Sequence, residues 1–378
     1  MIPILFALLA AFCVPFCTGI PAPAHFFPEQ IVDHTADDSS PFLGQKWSQR
    51  YYVFKEHFKG PGSPLFVIWG GEGAIEPKTG IYYPFIYDHL ARVFGAYIIQ
   101  PEHRFYGFSQ PLQGKSGNDF SLSSKRGRNL KSKAEDPRVR LFTSEQAIMD
   151  AAELVKHIAG DLGCSSDKTS PDYCPVISVG GSYPGFLSAM SRLRFPDVFD
   201  MSYAASAPMK FYSQEVSQDD YYNHISNVAE KTIPGCAKAV KDALLAVYNM
   251  DAESNYIPAL EVGICPGTLP AYIDDRNTFF DELFMMAGYS FANDNMGNYP
   301  PTPATRLYKH CQIFLDEGLS AVEKVKTFLV DRLEKDRKDC FDMSQQLPSG
   351  PNATISAGDW SGVGKGSNGE SWDFQVSL

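Results

Sequence analysis

The stretch Val176-Ile177-Ser178-Val179-Gly180-Gly181-Ser182-Tyr183-Pro184-Gly185-Phe186 restricts the fold more than any other part of this 378-residue chain. Val176 to Val179 is a mostly β-branched run of the kind that forms a buried strand, and from Phe186 to Phe195 apolar residues recur at helical spacing. Strand, glycine-flanked serine and helix together make the local context of a nucleophile elbow, where a sharp turn lifts a serine hydroxyl clear of a sheet. The same turn aims the next backbone N–H, that of Tyr183, at the oxygen of an attacked carbonyl. The pattern Gly-x-Ser-x-Gly is broken at its last position, where Pro184 stands and glycine follows one residue later as Gly185. Proline in a first helical turn forfeits no hydrogen bond, so the expected elbow is distorted rather than lost. Taken alone, the stretch fits equally well an ordinary strand–turn–helix with a surface serine.

The flanking sequence supplies the sheet that an elbow needs. Trp47 to Phe54, Leu65 to Trp69, Ala96 to Gln100 and Met201 onward read as strands, and Tyr82 to Phe94 as a helix. Thr143-Ser144-Glu145-Gln146 is a capping box opening another helix, whose apolar face is Ala147, Ala151, Leu154, Val155 and Ile158. This alternation predicts an α/β fold with a parallel sheet and helices on both faces. The strand Leu65 to Trp69 ends in Gly70-Gly71-Glu72-Gly73, and α/β folds place their ligand loops at such strand ends. A backbone N–H near Gly71 is the expected second oxyanion donor, with Gly70, Glu72 and Gly73 completing a loop at the substrate site; a simple tight turn is the alternative. His103 precedes Ser182, whereas α/β-hydrolases order their triad Ser, Asp or Glu, His. A structural role is therefore expected for Glu102, His103 and Arg104. From Met209 to Cys340 the periodicity becomes helical, which predicts a helical domain inserted into or placed over the sheet.

Composition narrows the function classes. The chain is 44% hydrophobic and 20% charged, with a net charge of −11, which argues against a nucleic-acid partner because that needs a basic face. Residues 1–22 read as a signal peptide, and no later stretch is long and apolar enough to span a bilayer. The expected mature protein lies in the secretory route, lysosomal, vacuolar or extracellular, with no membrane segment. Cys164, Cys174, Cys236, Cys265, Cys311 and Cys340 remain after the signal, without a Cys-x-x-Cys pair, and read as disulfide partners in an oxidising compartment. Asn352 lies in a glycosylation sequon. Nothing in the sequence calls for a metal or a cofactor.

Assembled in order, these segments resemble the family of proline-specific serine exopeptidases. The residues that carry the resemblance are Asp33-His34, Gln49-Arg50-Tyr51, Gly70-Gly71-Glu72-Gly73, Glu102-His103-Arg104-Phe105-Tyr106-Gly107, Thr143-Ser144-Glu145-Gln146-Ala147, Gly180-Gly181-Ser182-Tyr183, Ala205-Ser206-Ala207-Pro208, Gly297-Asn298-Tyr299-Pro300 and Trp372-Asp373-Phe374-Gln375. The resemblance implies an α/β-hydrolase with an inserted helical cap domain: residues 23–208 as the first part of the hydrolase domain, 209–345 as the cap and 346–378 as an incomplete return segment. It implies Ser182 as nucleophile and a peptide substrate with proline before the cleaved bond, and it allows a homodimer.

The same resemblance sets two expectations of absence. The family's charge-relay Asp and His follow the Trp372–Gln375 landmark, so the C-terminal strands and both residues are expected to be missing from this sequence. Cys340 is likewise expected to lack its disulfide partner. Only His224 and His310 follow Ser182, and both fall in predicted helices rather than in a loop after a strand. The expectation is a serine exopeptidase, carboxypeptidase or dipeptidyl peptidase, whose chain is truncated. A catalytically inactive peptide-binding homologue and, more remotely, a lipase or esterase are the alternatives.

Overall fold

Leu65 to Ile68 is the central strand because all four side chains are apolar and both faces of the sheet are covered there. In the computed structural model, which describes residues 20–75, 80–112, 137–217, 219–251, 256–271, 273–333 and 339–343, this strand is wholly buried. Residues 1–19 of the expected signal peptide, Asn352 and the Trp372–Gln375 segment lie outside the described residues.

The described chain divides into two compact units, one ending at Met209 and the other beginning at Lys210. The first holds a six-stranded sheet of β1 (Ala24–Ile31), β2 (Lys46–Phe54), β3 (Leu65–Ile68), β4 (Tyr97–Pro101), β5 (Val176–Gly181) and β6 (Met201–Ala205), in spatial order β1-β2-β4-β3-β5-β6. The sheet is mixed, which corrects the expectation of a parallel one. Strands β4, β3, β5 and β6 run parallel, while β1 pairs antiparallel with β2 and β2 antiparallel with β4. The reason is connectivity: no helix separates β1 from β2, and without a crossover helix adjacent strands reverse direction.

Alternation along the strands assigns the two faces. Leu65 and Val67 pack with Ile148, Ala151, Val155 and Ile158 of the long helix Ser144–Asp161 and with Leu187 of the helix Tyr183–Arg194. Phe66 and Ile68 point the other way, onto Ile86 and Ala91. Those two belong to a π-helical turn, Phe85–Leu90, that runs into Ala91–Phe94. We call the helices of this unit α1 (Ala91–Phe94), α2 (Pro137–Leu141), α3 (Ser144–Asp161) and α4 (Tyr183–Arg194). Strands β1 and β6 are the two edges of the sheet among the described residues, and on β6 Met201 and Tyr203 are exposed.

The capping box of α3 forms by half. Thr143 has extended angles and its side chain accepts from the Gln146 N–H, as an N-cap does. The Gln146 side chain does not return to the cap; it donates to Asp33 and accepts from the backbone N–H of His34. Tertiary partners thus claim the second half of a local motif.

The second unit contains α5 (Asp220–Thr232), α6 (Cys236–Tyr248), α7 (Arg276–Met296), α8 (Arg306–Leu315) and α9 (Ala321–Leu333). They enclose a core that includes Val247, Phe279, Phe280, Leu283, Phe314, Phe328 and Leu329. Cys236 bonds to Cys311 and Cys265 to Cys340 in this unit, and Cys164 to Cys174 in the first. Cys340 therefore has a partner, contrary to expectation. The backbone explains it: Cys265 N–H donates to Phe341 O at 2.9 Å and Phe341 N–H to Gly263 O at 2.8 Å. These bonds set the two cysteines side by side, with Cα atoms 5.0 Å apart, inside the range a disulfide spans.

Candidate active site

Ser182 sits at the tip of the turn between β5 and α4, with φ 63° and ψ −132°. A serine gains nothing intrinsic from such angles, which cost of order 1–3 kcal/mol and persist where surrounding structure imposes them. The imposing contacts are visible. The Ser182 N–H donates to Ala205 O at 2.9 Å, and its carbonyl accepts from Phe186 N–H at 3.1 Å. The side chain is exposed, while Tyr183, Pro184 and Gly185 behind it are buried. Among the described residues of this unit none hydrogen-bonds the Ser182 hydroxyl.

Strand and helix pass so closely here that only hydrogen fits at two positions. A Cβ on Gly180 would lie 2.0 Å from Pro184 O, and one on Gly185 would lie 2.7 Å from Ala205 O. The second small residue of the elbow is thus Gly185, one place later than the usual pattern. Pro184 occupies the freed position at the start of α4, and its ring has a use of its own. A Cβ on Gly71 would meet the Pro184 Cγ at 3.0 Å, so the irregular proline and the glycine loop after β3 lie against each other.

That loop holds the four residues expected at a substrate site. Gly70 follows β3 so near to the end of β4 that a Cβ there would lie 2.5 Å from Pro101 O. Gly71, Glu72 and Gly73 are half-buried, and burial pushes the Glu72 carboxyl above its usual range. Tyr83 completes the surroundings of the turn and has no signature in the sequence. Its φ is 57°, and its hydroxyl packs against Gly181, 3.0 Å from where a Cβ on that glycine would stand.

Behind the elbow, three consecutive residues at the end of β4 spread in three directions. Glu102 is fully buried and takes donors from Arg50 Nε and Nη2, Ile75 N, Phe108 N and Ser109 Oγ. Desolvation pushes its carboxyl up, yet every neighbour donates, and that donor set matches the ionised form. Arg104 is also fully buried, forked onto Asp150 at 2.7 and 2.6 Å, with Nη1 donating to Val32 O and Leu141 O. His103 lies between these pairs. Its Nε2 is 2.9 Å from the Tyr183 hydroxyl and its Nδ1 2.8 Å from Arg104 O. Burial lowers its pKa from 6.5 to about 4, because a low-dielectric site disfavours the charged ring.

The two histidines after Ser182 lie in the second unit. His224 is exposed on α5. His310 on α8 is fully buried, with Nδ1 2.5 Å from Asp294 and Nε2 2.9 Å from Asp331. Both of its nitrogens are thus engaged by carboxylates of its own unit.

Sequence comparison places this geometry among known proteins. Residues 32–377 match the family model for serine carboxypeptidase S28. The chain is 27% identical over 307 residues to the lysosomal Pro-X carboxypeptidase of Mus musculus, covering 77% of this chain and 54% of that protein. It is 26% identical over 316 residues to the human lysosomal Pro-X carboxypeptidase, covering 80% and 57% respectively. Against the thymus-specific serine protease of Mus musculus it is 34% identical over 183 residues, covering 48% and 30%. The chain therefore spans about half the length of the Pro-X carboxypeptidases it matches. With the family match running through nearly all of the sequence, and with a strained serine at a β5–α4 elbow of an α/β-hydrolase-type sheet, the chain belongs to the serine carboxypeptidase S28 family.

Proposed function

We propose that this chain is a serine exopeptidase that cleaves peptide bonds after proline through an acyl-enzyme, with Ser182 as its nucleophile. The observation that carries the reading is Ser182: a non-glycine residue held at φ 63° on an exposed turn, with the Gly71 loop packed beside it. In the reaction, Ser182 Oγ bonds to the prolyl carbonyl carbon, and the carbonyl oxygen takes the charge. The N–H groups of Tyr183 and of the Gly71 loop face that oxygen and stabilise it. The amine leaves with a proton, and water then releases the prolyl acid from the ester.

Proton transfer needs a base. His103 is committed on both nitrogens, to Tyr183 and to Arg104 O, so it is not assigned that task. Three disulfides support passage through an oxidising, secretory compartment, and the relatives named lysosomal support a lysosomal destination. No described helix is long and apolar enough to cross a membrane.

A second reading, a peptide-binding homologue without turnover, is favoured by the absence of a described partner for the Ser182 hydroxyl within its unit. A fluorophosphonate probe decides between them. Stoichiometric labelling of the expressed chain, abolished in Ser182→Ala, supports the peptidase; a folded chain that binds Xaa-Pro peptides and takes up no label supports the second reading.

A further inference from the structure

The Glu102-His103-Arg104 run is buried to a degree that surface catalysis does not require, and the mechanism above uses none of it. The hydrogen-bond roles around His103 can be assigned from its partners. Arg104 O can only accept, so Nδ1 carries the ring proton in the bond of 2.8 Å. In the neutral ring Nε2 is then an acceptor, and the Tyr183 hydroxyl, 2.9 Å away, donates to it. Tyr183 has spent its one proton there, so the contact of 3.2 Å with Ser144 Oγ is one in which Ser144 donates. The ring is also boxed by Tyr106 and Phe142 at centroid distances of 5.5 and 5.8 Å.

We propose that His103 is a positioning residue for the oxyanion hole: as the neutral Nδ1–H imidazole it accepts from the Tyr183 hydroxyl and thereby fixes the backbone N–H of Tyr183 opposite the Gly71 loop. The inference rests on the reading of Ser182 as nucleophile. Both oxyanion donors hang from one strand end. Glu102 holds Ile75, just after the glycine loop, through the 2.9 Å bond from its N–H. Gly70 N–H donates to Pro101 O at 3.1 Å. His103, the residue after Glu102, holds the tyrosine on the other side. Arg104 ties the carbonyl that orients His103 to α3 through Asp150. The spacing between the two donors is therefore set by consecutive residues of a single backbone segment. A displacement of about 1 Å at such a donor can cost on the order of a hundredfold in rate.

The test compares the wild-type chain with His103→Leu, His103→Gln and Tyr183→Phe. The rate of Ser182 labelling by a fluorophosphonate is expected to fall at least tenfold in His103→Leu and Tyr183→Phe. It is expected to recover to within about threefold of wild type in His103→Gln, whose amide oxygen can take the place of Nε2. In ¹⁵N-histidine spectra, one signal set, lost in His103→Gln, should show a protonated Nδ1 and a bare Nε2, and its Nε2 resonance should move in Tyr183→Phe. A residue that merely fills space would give neither the rescue nor that shift. Labelling of a folded His103→Leu at the wild-type rate overturns the proposal, as does a His103 that is protonated on Nε2 or is blind to Tyr183→Phe. If the wild-type chain takes no label, the peptidase reading falls and the oxyanion-hole role falls with it, while a spectrum with a protonated Nδ1 and an Nε2 that responds to Tyr183→Phe still shows the hydrogen bond from Tyr183 to His103, which distinguishes the two failures.

Discussion

Acidification should weaken the first unit through His103, and replacing that ring should remove the effect. In the unfolded chain His103 binds a proton near its ordinary value of 6.5, whereas in the folded protein it does so only near pH 4. Between these values the unfolded state holds more protons, so stability is complete above pH 6.5 and declines as pH falls toward 4. From pH 7.5 to 5.0 the linkage relation gives a loss of about 2 kcal/mol for this one group. The assay is urea unfolding followed by tryptophan fluorescence, since Trp47 and Trp69 are both buried in this unit. Wild type and His103→Gln are each measured at pH 7.5 and 5.0. Every other titrating group, Glu72 and Glu102 included, is common to both chains and cancels in the difference of differences. Wild type should lose about 2 kcal/mol more than His103→Gln over this interval. Equal losses in the two chains would refute the buried, neutral histidine and the hydrogen-bond roles derived from it.

Other perturbations test other parts of the fold. Glu102→Gln leaves the buried Arg50 guanidinium without its countercharge and should destabilise the first unit by roughly 3–5 kcal/mol, read as a shift in the urea midpoint. Gly180→Ala drives a Cβ to 2.0 Å from Pro184 O, a backbone atom that cannot swing aside; a loss of roughly 3 kcal/mol and of fluorophosphonate labelling is expected, and wild-type stability would contradict the close packing at the elbow. Cys236–Cys311 and Cys265–Cys340 each link residues 75 apart, so removing either as a double serine variant should cost the helical unit about 4 kcal/mol, measured by circular dichroism during denaturation.

The fold was legible wherever a segment's own pattern settled its fate. The apolar run Leu65–Trp69, the mostly β-branched run Val176–Val179 and the helical spacing after Phe186 each specify one element, because burying them any other way would expose apolar surface. The mixed sheet was less legible: β1 has no clear period, with His25, Pro28 and Glu29 interrupting it, and its direction follows from the missing crossover. Cys340 was misjudged because the pairing of residues 263–265 with 340–341 depends on backbone bonds between segments far apart in sequence.

The candidate site divides the same way. Ser182, the Gly70–Gly73 loop and the misplaced Pro184 could all be read as residues. The use of Pro184 could not, since its ring's contact with Gly71 joins two turns more than a hundred positions apart. Tyr83 gave no signal, and neither did the bond from Tyr183 to His103. The sequence by itself determined which elements form and which serine could stand at a strand–helix turn, because period, glycine and chain order act over a few residues. Only the tertiary structure decided what holds that turn in place. The backbone torsion at Ser182 follows from its bonds to Ala205 of β6 and Phe186 of α4, and the seat of Tyr183 from its hydroxyl's contacts with His103 and Ser144, and those exist only once the chain has brought these segments together.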